Sequence, residues 1–153
     1  MRFRIYRFDP ELDTDPHLQE LAVDPPGPML LDALEALKEE RDPSLTYRRS
    51  CREGVCGSDA MNINGRNGLA CITPLADLKE PVTLRPLPGQ PVIRDLVVDL
   101  SGFYAQYRAI APYLQNDTPT PEHERRQTPA ERAELDGLYE CILCGCCSAA
   151  CPS

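Results

Sequence analysis

Three cysteines and one aspartate in residues 50–71, SCREGVCGSDAMNINGRNGLAC, stand at the spacing C-x4-C-x2-D-x11-C: Cys51, Cys56, Asp59 and Cys71. No other stretch restricts the fold as much. The spacing C-x4-C-x2-C…C is the plant-type ligand pattern for a [2Fe–2S] cluster, and Asp59 occupies the place of its third cysteine. Such a pattern needs a short loop folded over the cluster, with thiolates reaching the irons and backbone N–H groups reaching the sulfides. Gly54 and Gly57 let the backbone come close and adopt positive φ there. A carboxylate is a monoanionic donor, so an aspartate can replace a thiolate chemically, as a harder ligand. The competing reading is a structural zinc site beside an ordinary loop aspartate. Zinc accepts a Cys3Asp set, but its usual signature is two close C-x2-C-like pairs.

The 153 residues allow one domain or two small ones. A net charge of −8 without a clustered basic stripe argues against a nucleic-acid partner. Five of the eight cysteines (141, 144, 146, 147 and 151) crowd into eleven residues, which suits metal ligation better than a spread disulfide framework. The N-terminal MRFRIYRFDPEL lacks a signal-peptide apolar core. No stretch reaches the apolar length that spans a bilayer. The expectation is a reducing, cytoplasmic location, with any membrane association made through partners.

Residues 2–8 read as a first strand, with 18–23 as its hairpin partner. Pro28 suits the first position of a helix. Leu30, Ala33, Leu34 and Leu37 share one helical face, opposite Glu35, Lys38 and Glu39. Asp42 and Pro43 end that helix, and 45–47 form a short strand entering the ligand loop. Beyond the loop, 60–63 is a strand, Asn64-Gly65 a hairpin turn, 68–73 a strand carrying Cys71, and 82–85 another strand. Strands around one helix in this order predict an α+β arrangement: a β-grasp, the plant-ferredoxin fold, over residues 1–90. Arg48, Arg49 and Arg52 flank the loop, as groups that tune a cluster, face an acidic partner, or form a solvated basic patch.

Residues 84–91, with three prolines and a glycine, read as a connection to a second, helical domain over 91–153. Ile93, Leu96, Val97, Leu100, Phe103, Tyr104, Tyr107 and Ile110 recur at spacings of three and four, which predicts a core-packing helix ended by Pro112. Gly102 within it costs about 1 kcal/mol relative to alanine. Residues 118–127 read as an exposed excursion, and neither His17 nor His123 as a ligand. Thr128-Pro129-Ala130-Glu131 combines a capping box with proline at the first helical position and predicts a helix running toward Tyr139.

Cys141, Cys144, Cys147 and Cys151-Pro152 match C-x2-C-x2-C-x3-C-P, the bacterial ferredoxin run. In two-cluster proteins of that type the first three cysteines hold one cubane and the fourth serves the other cluster. Cys141, Cys144 and Cys147 would thus hold a [4Fe–4S] cluster that lacks a fourth ligand, and Cys146 falls out of phase as a non-ligand thiol.

The stretches YRRSCREGVCGSDAMNINGRNGLACITPL, LPGQPVIRDLVVDLSGFYAQY and LDGLYECILCGCCSAACPS resemble the iron–sulfur subunit of bacterial succinate dehydrogenase (respiratory complex II), and the resemblance covers nearly the whole chain. The related fumarate reductase subunit usually has cysteine at the position of Asp59, whereas some succinate dehydrogenases have aspartate. The resemblance implies an electron relay of the tricarboxylic acid cycle and respiratory chain. Electrons pass from the FAD of a flavoprotein subunit that oxidises succinate, through [2Fe–2S], [4Fe–4S] and [3Fe–4S] clusters, to ubiquinone at membrane-anchor subunits. It implies Cys51, Cys56, Asp59 and Cys71 for the first cluster, Cys141, Cys144 and Cys147 for the second, Cys151 for the third, and Pro152 in the quinone pocket. It places the chain peripherally on the cytoplasmic side of the inner membrane, with no catalytic residues of its own. The remaining ligands would lie in a C-terminal segment beyond Ser153, so the bacterial-ferredoxin-like second domain is expected to be incomplete. A fumarate reductase subunit, a free-standing ferredoxin and a zinc-dependent interaction module are the alternatives.

Overall fold

Alternation settles the first ladder. In the computed structural model, which describes residues 1–151, strand β1 (Arg2–Arg7) exposes Arg2 and Arg4 and buries Phe3 and Ile5. It pairs antiparallel with β2 (His17–Ala22) and parallel with β5 (Val82–Arg85). Strand β3 (Ala60–Ile63) pairs antiparallel with β5 and with β4 (Arg66–Leu69), through the Asn64-Gly65 turn, where both residues take positive φ. The five strands lie in the order β2-β1-β5-β3-β4.

Helix α1 (Leu30–Glu40) covers this sheet. Its Leu30, Leu31, Ala33, Leu34, Ala36 and Leu37 are buried in one core with Phe3, Ile5, Met61, Val82 and Leu84. Each leucine so buried contributes about 1.5–3 kcal/mol relative to exposure. A mixed sheet grasping one helix is the expected β-grasp. Pro28, however, precedes the helix instead of opening it. Met29 is extended and bridges to Pro74, and its N–H donates to the Asp32 carboxylate at 3.0 Å, so the first turn begins at Leu30.

Other expectations are corrected. Residues 45–47 join no ladder: Leu45 is buried in the core, and Thr46 is held by its N–H on the Asp95 carboxylate and its carbonyl on the Leu96 N–H. Cys71 is not on a strand, because β4 ends at Leu69 and Cys71 sits in a 3-10 turn, Ala70–Ile72. The helix expected over 93–110 is a two-stranded ribbon, β6 (Val92–Arg94) and β7 (Val97–Val98), followed by a shorter helix α2 (Ser101–Ala109).

The buried side chain of Asp95 explains the ribbon. At φ 46 in its turn, Asp95 accepts from Arg7 Nε at 3.0 Å, the Phe8 N–H at 3.0 Å and the Thr46 N–H at 2.8 Å. Leu96 and Val98 are buried as well, Leu96 within the main core. A continuous helix would forfeit these bonds. Gly102 consequently falls in the first turn of α2, and α2 has no buried residue.

The expected cap forms at α3 (Pro129–Ala133): the Thr128 N–H donates to Glu131 at 2.7 Å, and the Glu131 N–H donates to the Thr128 hydroxyl at 3.3 Å. The helix stops at Ala133 and gives way to turns instead of reaching Tyr139. Residues 118–127 are exposed throughout, and α4 (Cys146–Ala150) closes the described chain. Tyr113, Leu114, Leu138 and Tyr139 are also exposed, so the helical part has no closed apolar core among the described residues. No described helix is long and apolar enough to cross a membrane.

Candidate iron–sulfur site

The loop between the core segment at Leu45 and β3 carries Cys51, Cys56 and Asp59, and the turn after β4 returns Cys71 beside them. Arg52, Gly54 and Gly57 take φ of 65, 75 and 67°, a left-handed conformation that turns the loop tightly. For Arg52 that conformation costs about 1–2 kcal/mol, and ion pairs hold it from α1. Arg52 reaches Asp32 at 2.9 Å and Glu35 at 3.1 Å, and Arg49 reaches Glu35 at 3.2 Å. Arg48 donates to the Val98 carbonyl at 3.0 Å. Of the three arginines left open by the sequence, Arg49 and Arg52 thus tie the loop to α1, and Arg48 ties it to the β6–β7 ribbon.

Backbone N–H groups converge on one sulfur. Those of Glu53, Val55 and Cys56 point at Cys51 Sγ at 3.5, 3.4 and 3.3 Å, a concave array of donors suited to an anion. Cys56 is exposed, and the Ser58 hydroxyl at 3.2 Å, with the Cys51 and Ser58 amides, draws its thiol down to about 6. Burial, reinforced by the Asp59 carboxylate, pushes the Cys71 thiol up to about 11. Asp59 is only 3% exposed; its Oδ2 accepts the Cys71 N–H at 2.6 Å, and its Oδ1 has no hydrogen-bond partner among the described residues.

These residues suit a binuclear cluster. An anionic oxygen buried without a donor is costly, and coordination to a cation would satisfy Asp59 Oδ1. A [2Fe–2S] centre divides its four protein ligands between two irons, so two thiolates on the loop with a carboxylate and a thiolate at its edge suit it. A Cβ at Gly54 would press on the Ile72 side chain at 3.1 Å, so glycine lets the loop lie close to the turn that carries Cys71.

The second cysteine run packs against this loop. A Cβ at Gly57 would stand 2.7 Å from Cys144 Cβ and 2.9 Å from its Cα. Asn62 Nδ2 donates to Asn67 Oδ1 at 2.8 Å, and Asn67 Nδ2 donates to the Cys146 carbonyl at 3.2 Å, which fixes the start of α4 on the β3–β4 hairpin. Cys141, Cys147 and Cys151 are exposed, and Cys144 and Cys146 are partly buried. Burial and the neighbouring Cys144 push the Cys146 thiol up to about 12. Pro152 lies outside the described residues. Ser58, two residues from Cys56, was hinted at only by the S/N-rich surroundings of the cysteines. The Cys146 partner of Asn67 and the Arg52 partner of Asp32 and Glu35 lie 17 or more positions away in the chain, a separation with no fixed spacing to read.

Residues 2–105 match the 2Fe-2S iron-sulfur cluster binding domain family. The chain belongs to that family. It is 60% identical to the succinate dehydrogenase iron-sulfur subunit of Coxiella burnetii, over 100% of this chain and 66% of that protein. It is 54% identical to the subunit of the same name from Paracoccus denitrificans, over 99% of this chain and 60% of that protein. A chain of the Mycobacterium smegmatis Sdh1 complex in the apo form superposes with a TM-score of 0.80 at 31% identity, covering 98% of this chain and 62% of that one. The chain therefore spans less than two thirds of the length of the curated relatives it matches.

Proposed function

We propose that this chain is the electron-transfer component of a succinate dehydrogenase. In this reading Cys51, Cys56, Asp59 and Cys71 hold a [2Fe–2S] cluster, and Cys141, Cys144 and Cys147 contribute to a [4Fe–4S] cluster. Cys151 contributes to a [3Fe–4S] cluster, and Pro152 borders a quinone pocket. When bound, such clusters supply one-electron redox steps without bond making at the protein. The chain's task is to hold them close together, exclude water and set their potentials.

The observation that carries the reading is the contact of Gly57 with Cys144, which brings the two ligand runs within van der Waals distance. A short, packed path between two redox centres is what a relay needs, and a free-standing single-cluster carrier has no use for it. The loop amides on Cys51 and the Ser58 hydroxyl on Cys56 would stabilise negative charge delivered to the first centre. The partners would be a flavoprotein subunit, whose FAD supplies single electrons from succinate, and membrane-anchor subunits presenting ubiquinone. The domain division is proposed at residues 90 and 91, with the β6–β7 ribbon of the second part docked on the first through Asp95 and Leu96. The chain would sit peripherally on the cytoplasmic side of the membrane through those partners.

The test loads the 153-residue chain with iron and sulfide, then adds the flavoprotein subunit and succinate under anaerobic conditions. Succinate-dependent appearance of a reduced [2Fe–2S] EPR signal is expected. A loaded chain that dithionite reduces but succinate with flavoprotein does not would refute the assignment.

A further inference from the structure

The sulfurs of the ligand loop are stabilised in two different ways. Cys51 Sγ faces three backbone N–H groups, which no side-chain substitution removes. Cys56 Sγ, on the exposed side of the loop, faces the Ser58 hydroxyl at 3.2 Å in addition to the Cys51 and Ser58 amides, so part of its stabilisation comes from a replaceable side chain. Gly57, at φ 67, turns the chain between them and brings side chains two residues apart together. A ligating thiolate carries no proton, so in the loaded protein the hydroxyl must be the donor and the sulfur the acceptor.

We propose that Ser58 sets the reduction potential of the [2Fe–2S] centre by donating its hydroxyl hydrogen bond to Cys56 Sγ. This rests on the reading of Cys56 as a ligand. One-electron reduction adds a negative charge that the iron-bound sulfurs share, while the Ser58 proton stays on its oxygen and no bond is made or broken. A donor at 3.2 Å therefore stabilises the reduced form more than the oxidised one and raises the potential. Cys51 is served by the backbone, so Ser58 is the position at which sequence change adjusts the potential without rebuilding the loop.

The experiment is an anaerobic dithionite titration of the iron- and sulfide-loaded chain, followed by EPR, on the parent, Ser58→Ala and Ser58→Thr. Ser58→Ala is expected to lower the redox equilibrium constant by roughly tenfold, 59 mV for a one-electron couple, with about two irons per chain retained. Ser58→Thr keeps a hydroxyl and should keep the parent midpoint. A loaded Ser58→Ala chain with the parent midpoint would overturn the proposal. If the alanine variant does not load, a threonine variant with its midpoint lowered by about 59 mV, a tenfold change in the equilibrium constant, would overturn it equally. Cys56→Ser in the same series separates the premise from the proposal. An unchanged spectrum there would mean that Cys56 is not a ligand. A lost or altered spectrum there, with Ser58→Ala unshifted, would mean that the hydroxyl alone was misread.

Discussion

Asp59→Ala separates a ligand from a buried loop carboxylate. The substitution removes an oxygen that accepts the Cys71 N–H at 2.6 Å and a second oxygen with no partner among the described residues. In the iron-free chain the loss is one charge-assisted hydrogen bond, about 1.5–3 kcal/mol, offset by relief of the unpartnered buried oxygen. The urea midpoint should therefore fall only modestly. In the loaded chain one of four ligands disappears. Changing residues that merely orient metal ligands costs 10–100-fold in affinity, so losing a ligand should accelerate iron release to a chelator by more than about 100-fold. At 1.4 kcal/mol per factor of ten that is more than about 2.8 kcal/mol. Asp59→Cys should instead keep the cluster with altered g-values, because a softer thiolate replaces a harder oxygen. The assay pairs EPR of the reduced protein with chelator-driven iron release, alongside urea unfolding of the iron-free forms. An alanine variant with the parent spectrum, potential and release rate would refute ligation by Asp59.

In the iron-free chain, alkylation of Cys56 should rise with pH through about 6 and then level, because its thiolate forms above that value, while Cys71 stays protonated and unreactive until about 11. Peptide mass spectrometry after pulsed iodoacetamide reads both, and equal rates at pH 7 would contradict the environments described. Asp95→Ala removes the buried acceptor of Arg7 Nε and of two backbone N–H groups, while Arg7 keeps its ion pair with Asp42 at 2.6 Å, and should cost about 1–3 kcal/mol. Chemical denaturation checks this, and a loss below about 1 kcal/mol would mean that Leu96 and Val98 dock the ribbon unaided. Gly57→Ala forces a left-handed alanine, about 1–2 kcal/mol, onto the Cys144 backbone and should raise hydrogen exchange across residues 144–147; unchanged exchange would show that the loops do not need this contact.

The local code carried much of the first unit. The strand expected over residues 2–8 formed as Arg2–Arg7, and the three-and-four spacing of Leu30, Ala33, Leu34 and Leu37 formed the helix face as read. Asn64-Gly65 and the Thr128 capping box are local conformations whose side chains act within a few residues, so they were legible as well. Cys51, Cys56, Asp59 and Cys71 were legible as candidates because a loop of fixed length around a cluster imposes fixed spacing, and the fold sets Cys56 beside Cys51 and Cys71 beside Asp59.

Tertiary structure decided what depends on partners distant in the chain. The helical spacing across 93–110 is real in the sequence, but Asp95 gains buried bonds to Arg7, Phe8 and Thr46 that no helix could supply, so the segment became a ribbon. The sequence left Arg49 and Arg52 open between tuning a cluster, facing an acidic partner and forming a solvated patch, and only the fold placed Asp32 and Glu35 of α1 beside them. The contact of Gly57 with Cys144 joins residues 87 positions apart, and only the folded chain brings them together. Composition, spacing and turn chemistry determine which residues can hold iron. Three-dimensional packing determines which sulfur each donor reaches and how closely the two cysteine runs approach.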